Sequence, residues 1–201
     1  MVELSKLQEV GCAALAREGA AIAAVQAQLN ESFARAVEMI LECTGHVIVS
    51  GAGTSSSVAQ RLAHLLTCVG APALYLDAGE SAHGGAAAVT ARDALLAISK
   101  GGETDELNNL VRVARERGAK VIALTSRPDS TMGKNSDVVV TVVVPDDVEA
   151  FGVIALGSSL AAAAVGDALC FAVSSVRGYD ADEFRKVHPG GAVGKALGKK
   201  P

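Results

Sequence analysis

Aromatic side chains are nearly missing from this sequence. Of its 201 residues, 3% are aromatic and none is tryptophan, although 50% are hydrophobic. A core of this composition has to be aliphatic, with close helix contacts through small side chains such as alanine. The length suits one α/β domain with a substantial core and is too short for two ordinary domains and a linker.

The signals of nucleic-acid and membrane partners are missing as well. The net charge is -4, the pI is about 5.6, and no lysine- and arginine-rich run is interleaved with aromatic residues, which argues against a nucleic-acid partner. The apolar stretch 152–173 is interrupted by Ser158, Ser159 and Asp167 and has no basic flank. We therefore expect a helix buried on most of its surface and no membrane partner.

Paired or clustered cysteines are also missing. The four cysteines are isolated and lack C-x-x-C spacing: Cys12, Cys43, Cys68 and Cys170. We interpret them as buried small apolar residues in a reduced compartment, and we expect neither a metal nor another cofactor. The charged N-terminus lacks the pattern of a secretory signal, so the expected location is cytoplasmic.

Short β-rich runs alternate with helix-length segments along most of the chain. They lie at His46–Ser50, Ala73–Leu76, Ala94–Ser99, Val121–Thr125 and Val138–Val143. These runs are continuously apolar, as expected of strands covered by helices on both faces, so the alternation predicts a parallel sheet. Upstream, regularly spaced apolar residues and an N-cap at Asn30 predict two helices.

The pattern predicts a single α/β domain, a three-layer sandwich around a five-stranded parallel sheet of the flavodoxin-like or Rossmann-like kind. We divide it into N-terminal helices at 3–43, an α/β core at 46–177 and a C-terminal tail at 178–201. The apolar faces of 15–40 and 152–173 exceed what one small domain can cover, so we expect a homodimer or homotetramer.

Two of the predicted strands run into loops of glycines and hydroxyl residues that each open a helix. Both loops fall at the carboxyl ends of strands, where ligands bind in open parallel sheets. Hydroxyls and free backbone N–H groups converge there at the positive end of a helix, which favours a phosphate. The candidate phosphate-binding residues are Gly51, Gly53, Thr54 and Ser55 in the first loop, and Ser99, Gly102 and Thr104 in the second.

A dinucleotide site is the competing interpretation of the first loop. Gly51 and Gly53 match its first two glycines, and Asp77 after the next strand is placed to meet a ribose. Ser56 stands at the third glycine position, however, so a nicotinamide-dependent enzyme is the weaker alternative. No lysine follows the glycines in Walker spacing, so an ATPase of that type is excluded.

These residues resemble the sugar isomerase (SIS) domain, and within it the arabinose-5-phosphate isomerase branch. The resemblance spans about residues 4–197 and rests on both loops, the segment Glu80–Gly84 and the tail Val187–Gly194. It implies the SIS fold and an intramolecular oxidoreductase that interconverts an aldose phosphate and a ketose phosphate, such as arabinose 5-phosphate and ribulose 5-phosphate. That branch usually carries two C-terminal CBS modules, and we expect this protein to work without them.

The resemblance also implies site residues. By position it assigns phosphate contacts to Ser50, Ser55, Ser99 and Thr104, and catalytic roles to Glu103, Glu149 and His188. Aldose–ketose isomerisation through an enediol needs a base, a proton donor and a phosphate anchor.

Four residues are candidates for this chemistry. Glu149, just past the last strand, is the candidate base. His188 is expected to act in ring opening, reaching a neighbouring subunit's crevice, and His83 is expected to face the same crevice. Glu103 is either catalytic or an ordinary acid in the first turn of a helix.

The sequence departs from the family at the two loops. Thr54 stands where the first loop of the family usually has a functional lysine, and Lys100 and Gly101 replace an Asn-Ser pair in the second loop. We hypothesise that Lys100 takes over the vacant role. The alternative is a sugar-phosphate-binding module without catalysis. The presence of Thr54 in place of the functional lysine would be consistent with a lost activity.

Overall fold

The computed structural model describes residues 3–198. The helices are α1 Leu4–Gln26, α2 Glu31–Glu42, α3 Thr54–Cys68, α4 Ala78–Ser81, α5 Asp105–Glu116, α6 Thr131–Lys134, α7 Gly157–Arg177, α8 Ala181–Val187 and α9 Gly191–Gly198. The strands are β1 Val47–Gly51, β2 Ala73–Tyr75, β3 Ala94–Ile98, β4 Lys120–Thr125 and β5 Val138–Thr141. Short 3-10 turns lie at Gly85–Ala88 and Asp146–Val148. The predicted tail 178–201 is thus described as far as residue 198, as α8 and α9.

The strands form one parallel sheet in the order β2-β1-β3-β4-β5, which confirms the predicted fold class. Every residue of β1 and β3 is buried, as the continuous apolar runs predict. After β1 the chain crosses to β2 on one side, and it then returns to β3 on the other side. The switch point of the sheet therefore lies between β1 and β3, where Ser50 is paired with Ala97 and Gly51 with Ile98.

Alternating side chains of the strands point into two separate cores. Leu96 and Ile98 of β3 join the core formed with α2, α3 and α7, whereas Leu95 and Ala97 join the core formed with α5. Asn30 caps α2, as predicted, since its side chain accepts the Ser32 N–H at 2.8 Å. The result is the three-layer sandwich expected from the sequence.

Helix α7 differs from the sequence prediction in its start and in its coverage. It begins at Gly157 rather than Gly152, and it packs against α1, α2 and α3 on one side only. Among the described residues it is the one helix long and apolar enough to cross a membrane by length and composition, and 39% of its most apolar window is buried in this chain. The expectation of a mostly buried helix is wrong for the single chain, because Leu160, Phe171 and Val176 face outward.

The cysteines also differ from the prediction. Cys170 is buried, and its burial raises the pKa of the thiol to about 12. Cys12 is exposed, and Cys43 and Cys68 are only partly covered. Cys12 lies on the outer side of α1, which packs on its neighbours through a few residues such as Ala21 and Val25. Spacing in the sequence does not reveal which face of such a helix is covered.

Two leucine-to-alanine substitutions test whether β3 lies in the buried centre of the sheet. Leu96→Ala should lower the free energy of unfolding by about 2–5 kcal/mol, because the side chain is 0% exposed and leaves a cavity between packed layers. Leu74→Ala in the edge strand β2 is the matched control. Leu74 is 55% exposed, so its truncation should cost less than about 1 kcal/mol. Urea denaturation measures both values, and equal losses would contradict the assigned burial.

Candidate active site

The two loops predicted from the sequence lie side by side at the carboxyl edge of the sheet, because β1 and β3 are neighbours. Gly51 is required there, since a Cβ would lie 2.8 Å from the backbone of Ser55. Gly53 has a φ of +58°, which L residues rarely adopt, and it precedes α3 directly. The first loop is therefore a tight strand-to-helix turn that leaves the start of α3 open.

Three helices start at this edge without a side-chain cap. The residues before α3, α5 and α7 are Gly53, Thr104 and Leu156, and none of them bonds the first turn through its side chain. Four other helices do have side-chain caps: Asn30 for α2, Asp77 for α4, Ser130 for α6 and Asp180 for α8. The carboxylate of Glu149 accepts the Leu156 N–H at the start of α7, so the uncapped N–H groups suited to an anion are those of α3 and α5.

The crevice at this edge consists of two pockets, one on each side of the first loop. One pocket, which we call the Lys100 pocket, has a volume of about 90 Å³. Its polar lining is Thr54, Ser55, Lys100, Thr125, Ser126, Ser158 and Ser159. The other, the Asp77 pocket, is lined by Gly51, Ala52, Gly53, Ser56, Asp77, Ala78, Gly79 and Glu106.

Lys100, which lines the Lys100 pocket, forms an ion pair with Glu149, which lines neither pocket. The Lys100 Nζ donates to Glu149 Oε1 at 2.9 Å, although the two residues are 49 positions apart. The Glu149 side chain is 1% exposed, whereas the Lys100 side chain is 44% exposed. The other oxygen, Oε2, accepts the N–H of Leu156 at 2.7 Å. Both oxygens of this buried carboxylate are therefore occupied.

Glu149 is held in the ionised form. Burial raises the pKa of its carboxyl, but hydrogen bonds from Ser158, from Lys100 and from the Leu156 N–H outweigh burial and leave the pKa below the ordinary value for Glu. A general base has to be ionised to accept a proton, and the Glu149 carboxylate meets this requirement.

The second loop holds its shape through Ser99 and Gly102. Ser99 Oγ accepts the Gly102 N–H at 3.1 Å and lies 3.3 Å from Thr104 Oγ1. Gly102 has a φ of +68°, and a Cβ there would collide with the side chain of Ser130. In the adjacent strand, the Oγ of Ser50 is buried without a hydrogen-bond partner among the described residues. A buried hydroxyl in this state is an available donor at the edge where the loops meet.

Several predicted site residues line neither pocket: Ser50, Ser99, Gly102, Thr104 and Glu149, which lie at the same edge of the sheet, and Glu103, His83 and His188. Glu103 is exposed and precedes the cap of α5, so its expected place in the first helical turn is wrong. Its carboxylate accepts the Thr131 N–H at 2.9 Å, and hydrogen bonds from the side chain and the N–H of Thr131 lower its pKa. His83 is exposed in the loop after α4 and lines neither pocket.

His188 lies in the tail that follows α7. The 21 residues of α7 carry the chain about 30 Å away from the Lys100 pocket, and the His188 ring packs on Phe184 at 4.8 Å between centroids. The crevice of the same chain therefore does not contain His188.

Sequence reasoning missed the hydroxyls that complete the Lys100 pocket. Ser158 and Ser159 were interpreted as interruptions of a helix, yet they form the first turn of α7 at the pocket wall. Thr125 and Ser126 follow the apolar run of β4. A hydroxyl at the carboxyl end of a predicted strand is the signal that identifies such residues.

The Asp77 pocket does not suit a dinucleotide. Asp77 Oδ1 accepts the N–H groups of Gly79 and Glu80, and Oδ2 accepts the Tyr75 hydroxyl at 2.9 Å. Hydrogen bonds from Glu80 and Tyr75 lower the pKa of Asp77. Because both oxygens serve the protein itself, a ribose contact at Asp77 is disfavoured.

A larger cleft, of about 670 Å³, lies at the opposite edge of the sheet between α2 and the starts of β3, β4 and β5. Its charges are of both signs, and some of them are bonded within the protein. The carboxylate of Asp93 accepts N–H groups of His46 and Thr90, and Arg35 pairs with Glu38. The converging hydroxyls and open helix starts occur at the carboxyl edge, so we place the candidate active site there.

Several known proteins are similar to this chain in sequence and in fold. Arabinose 5-phosphate isomerase KdsD of Yersinia pestis is 35% identical over 190 residues, which cover 94% of this chain and 58% of that protein. The chain thus spans less than two thirds of the length of the curated relatives it matches.

Two solved structures superpose closely. A candidate sugar-phosphate isomerase of Listeria monocytogenes has a TM-score of 0.91 at 31% identity, with 94% of this chain and 100% of that chain covered. A protein of Escherichia coli CFT073 in complex with arabinose 5-phosphate has a TM-score of 0.89 at 25% identity, with the same coverage. Since the SIS domain profile matches residues 40–172, this chain belongs to the SIS domain family.

Proposed function

We propose that this protein is a sugar-phosphate isomerase that interconverts an aldose phosphate and a ketose phosphate through an enediol. The observation that carries the proposal is the buried, ionised carboxylate of Glu149 beside the crevice where two phosphate-type loops meet. The names of its relatives support the same reaction class. Arabinose 5-phosphate or a related phosphosugar is the proposed substrate, because a relative carries arabinose 5-phosphate in its solved structure.

Phosphate binding is the task of the loops and helix starts. The open N-termini of α3 and α5, the hydroxyls of Ser55 and Thr104, and the unpartnered hydroxyl of Ser50 offer donors at one edge of the sheet. Ser99 holds the second loop in place through Gly102. An anchored phosphate positions the sugar carbons relative to Glu149, which lowers the entropic part of the barrier.

Glu149 is the proposed base. Proton abstraction from the carbon next to the carbonyl gives an enediolate, and return of the proton to the neighbouring carbon completes the isomerisation. His188 and Glu103 lie outside the two pockets of their own chain. A role for His188 in ring opening therefore requires a second chain, as the resemblance to the family implies.

A non-catalytic sugar-phosphate-binding module is the second candidate. Two features favour it: Thr54 occupies the place of the family lysine, and the Lys100 ammonium is bonded to the Glu149 carboxylate. Binding of phosphosugars without turnover by the wild-type chain would establish this function and exclude the isomerase.

The first test replaces the base. Glu149→Gln keeps the shape and the hydrogen bond from the Leu156 N–H but loses basicity, so kcat should fall by about 100-fold or more while phosphosugar binding stays within a few-fold. The matched control is Asp146→Asn, because Asp146 is an exposed acid in the same turn. NMR of the sugar products measures turnover and calorimetry measures binding. Wild-type turnover in Glu149→Gln would remove Glu149 from the mechanism.

The second test is the pH profile of kcat/KM. The base must be deprotonated, so activity is lost as the pH falls through the pKa of Glu149. Because that pKa is lowered in the folded protein, the acidic limb should lie below the ordinary range for Glu. The profile is measured in buffers of constant ionic strength. A limb at or above the ordinary range would show that another group is the base.

We also propose that the chain assembles into a homodimer or homotetramer. Leu7, Val10 and Leu15 of α1 and Phe171 and Val176 of α7 are exposed apolar side chains. Burial of such surfaces between copies is the usual reason for their presence. Light scattering at micromolar concentration should give a mass of two or four chains, and a monodisperse monomer would contradict the proposal.

A further inference from the structure

The side chains of Lys100 and Glu149 differ in how much of each is exposed and in how many contacts hold it. The Glu149 carboxylate is 1% exposed and is tied to the N–H of Leu156, so it has little room to move. The Lys100 side chain is 44% exposed, and Glu149 is the one acceptor of its ammonium among the described residues. Lys100 is therefore the member of the pair with open space around its side chain.

The backbone beneath this mobile side chain is fixed. The carbonyl of Lys100 accepts three hydrogen bonds at 2.8–3.0 Å, from Thr125 Oγ1, from Ser126 Oγ and from the Ser126 N–H. These contacts anchor the loop to the end of β4 and leave the four-carbon side chain to swing over the pocket. Lys100 also lines the pocket where the sugar is proposed to bind.

The pair as it stands places a hydrogen bond on each oxygen of the proposed base. A substrate C–H group has to meet a carboxylate oxygen, but Oε1 carries the ammonium and Oε2 carries the backbone N–H. The Leu156 N–H belongs to the start of α7 and cannot leave. Each carboxylate oxygen has a second lone pair, so Oε1 can take up the proton as the ammonium moves from it to the substrate oxygen.

We infer that Lys100 changes partner during the reaction, from Glu149 Oε1 to the oxygen of the substrate carbonyl. The inference rests on the proposed isomerase function. In the proton-abstraction step the C–H bond breaks, its proton goes to Glu149 Oε1, and its electron pair forms the C=C bond of the enediolate. The carbonyl π electrons move onto the oxygen, so the negative charge passes from the carboxylate to the substrate.

The electrostatics favour this exchange. Lys100 is the charged group that acts on Glu149, which is otherwise bonded by the hydroxyl of Ser158 and the N–H of Leu156. Once Glu149 is neutral, the ammonium has lost its partner and lies next to the new oxyanion. One cation thus balances one anion before and after the step, and no unpaired charge is created in the pocket.

Two phosphosugar ligands separate this role from simple phosphate anchoring. An alditol phosphate has no carbonyl, whereas the hydroxamic acid analogue of an aldonic acid phosphate presents two adjacent oxygens like those of the enediolate and can ionise to an oxyanion. In Lys100→Gln, binding of the hydroxamate should weaken about 10-fold or more, the range for loss of a charge-assisted hydrogen bond, while binding of the alditol phosphate stays within a few-fold. Equal losses for both ligands would overturn the exchange and make Lys100 a phosphate anchor.

A double variant keeps the test valid if Lys100→Gln folds poorly, since that change leaves Glu149 buried without its cation. Glu149→Gln and Lys100→Gln/Glu149→Gln differ only at Lys100 and bury no carboxylate. The hydroxamate should still bind the single variant about 10-fold more tightly than the double variant. Equal affinities would overturn the inference. Lys120→Gln, on the opposite edge of the sheet, is the control for loss of a lysine.

The pH profile supplies a further readout. Removal of the cation takes away one of the contacts that lower the pKa of Glu149, so the acidic limb of kcat/KM should move to higher pH in Lys100→Gln. If the acidic limb stays at the same pH in Lys100→Gln, Lys100 and Glu149 are not paired in solution. If the wild-type chain binds neither ligand, the proposed function itself fails, whereas binding of both without the predicted difference removes only the exchange.

Discussion

The parallel pairing of β1 with β3 determines where the candidate site of this protein lies. Their carboxyl ends are adjacent, so the loop after Gly51 and the loop after Ile98 open side by side. The chain leaves β1 toward one side of the sheet and β3 toward the other, which separates α3 from α5 and leaves a crevice between their starts. The position of each proposed phosphate-binding donor depends on the pairing of β1 with β3.

Charge in the crevice follows from the same geometry. A lysine in the second loop reaches the acid that follows β5, because β4 and its loop support the intervening backbone through Thr125 and Ser126. A lysine in the first loop would approach the crevice from α3 instead. The position of the positive charge therefore selects its partner: at Lys100 it meets Glu149, whereas Thr54 supplies only a hydroxyl to the pocket wall.

Much of the fold could be predicted because its signals are local. Continuous apolar runs placed the five strands within one or two residues, and Asn30 marked a helix start correctly. The pairing of Lys100 with Glu149 could not be predicted, since it joins loops 49 residues apart and depends on strand order. Apolarity also misplaced the start of α7, because residues 152–156 are as apolar as the helix but form an irregular turn.

That turn explains how a buried carboxylate is held so firmly. Phe151 has a φ of +55°, a conformation that costs a bulky residue about 1–3 kcal/mol, and Gly152 follows with a φ of +72°. The turn is closed by a bridge between Ala150 and Ile154 and by the bond from the Leu156 N–H to Glu149. A charged acceptor gives a stronger hydrogen bond than a neutral one, so this bond offsets part of the strain. The same contact that fixes the Glu149 carboxylate thus defines where α7 begins, and it leaves Lys100 as the more exposed member of the pair.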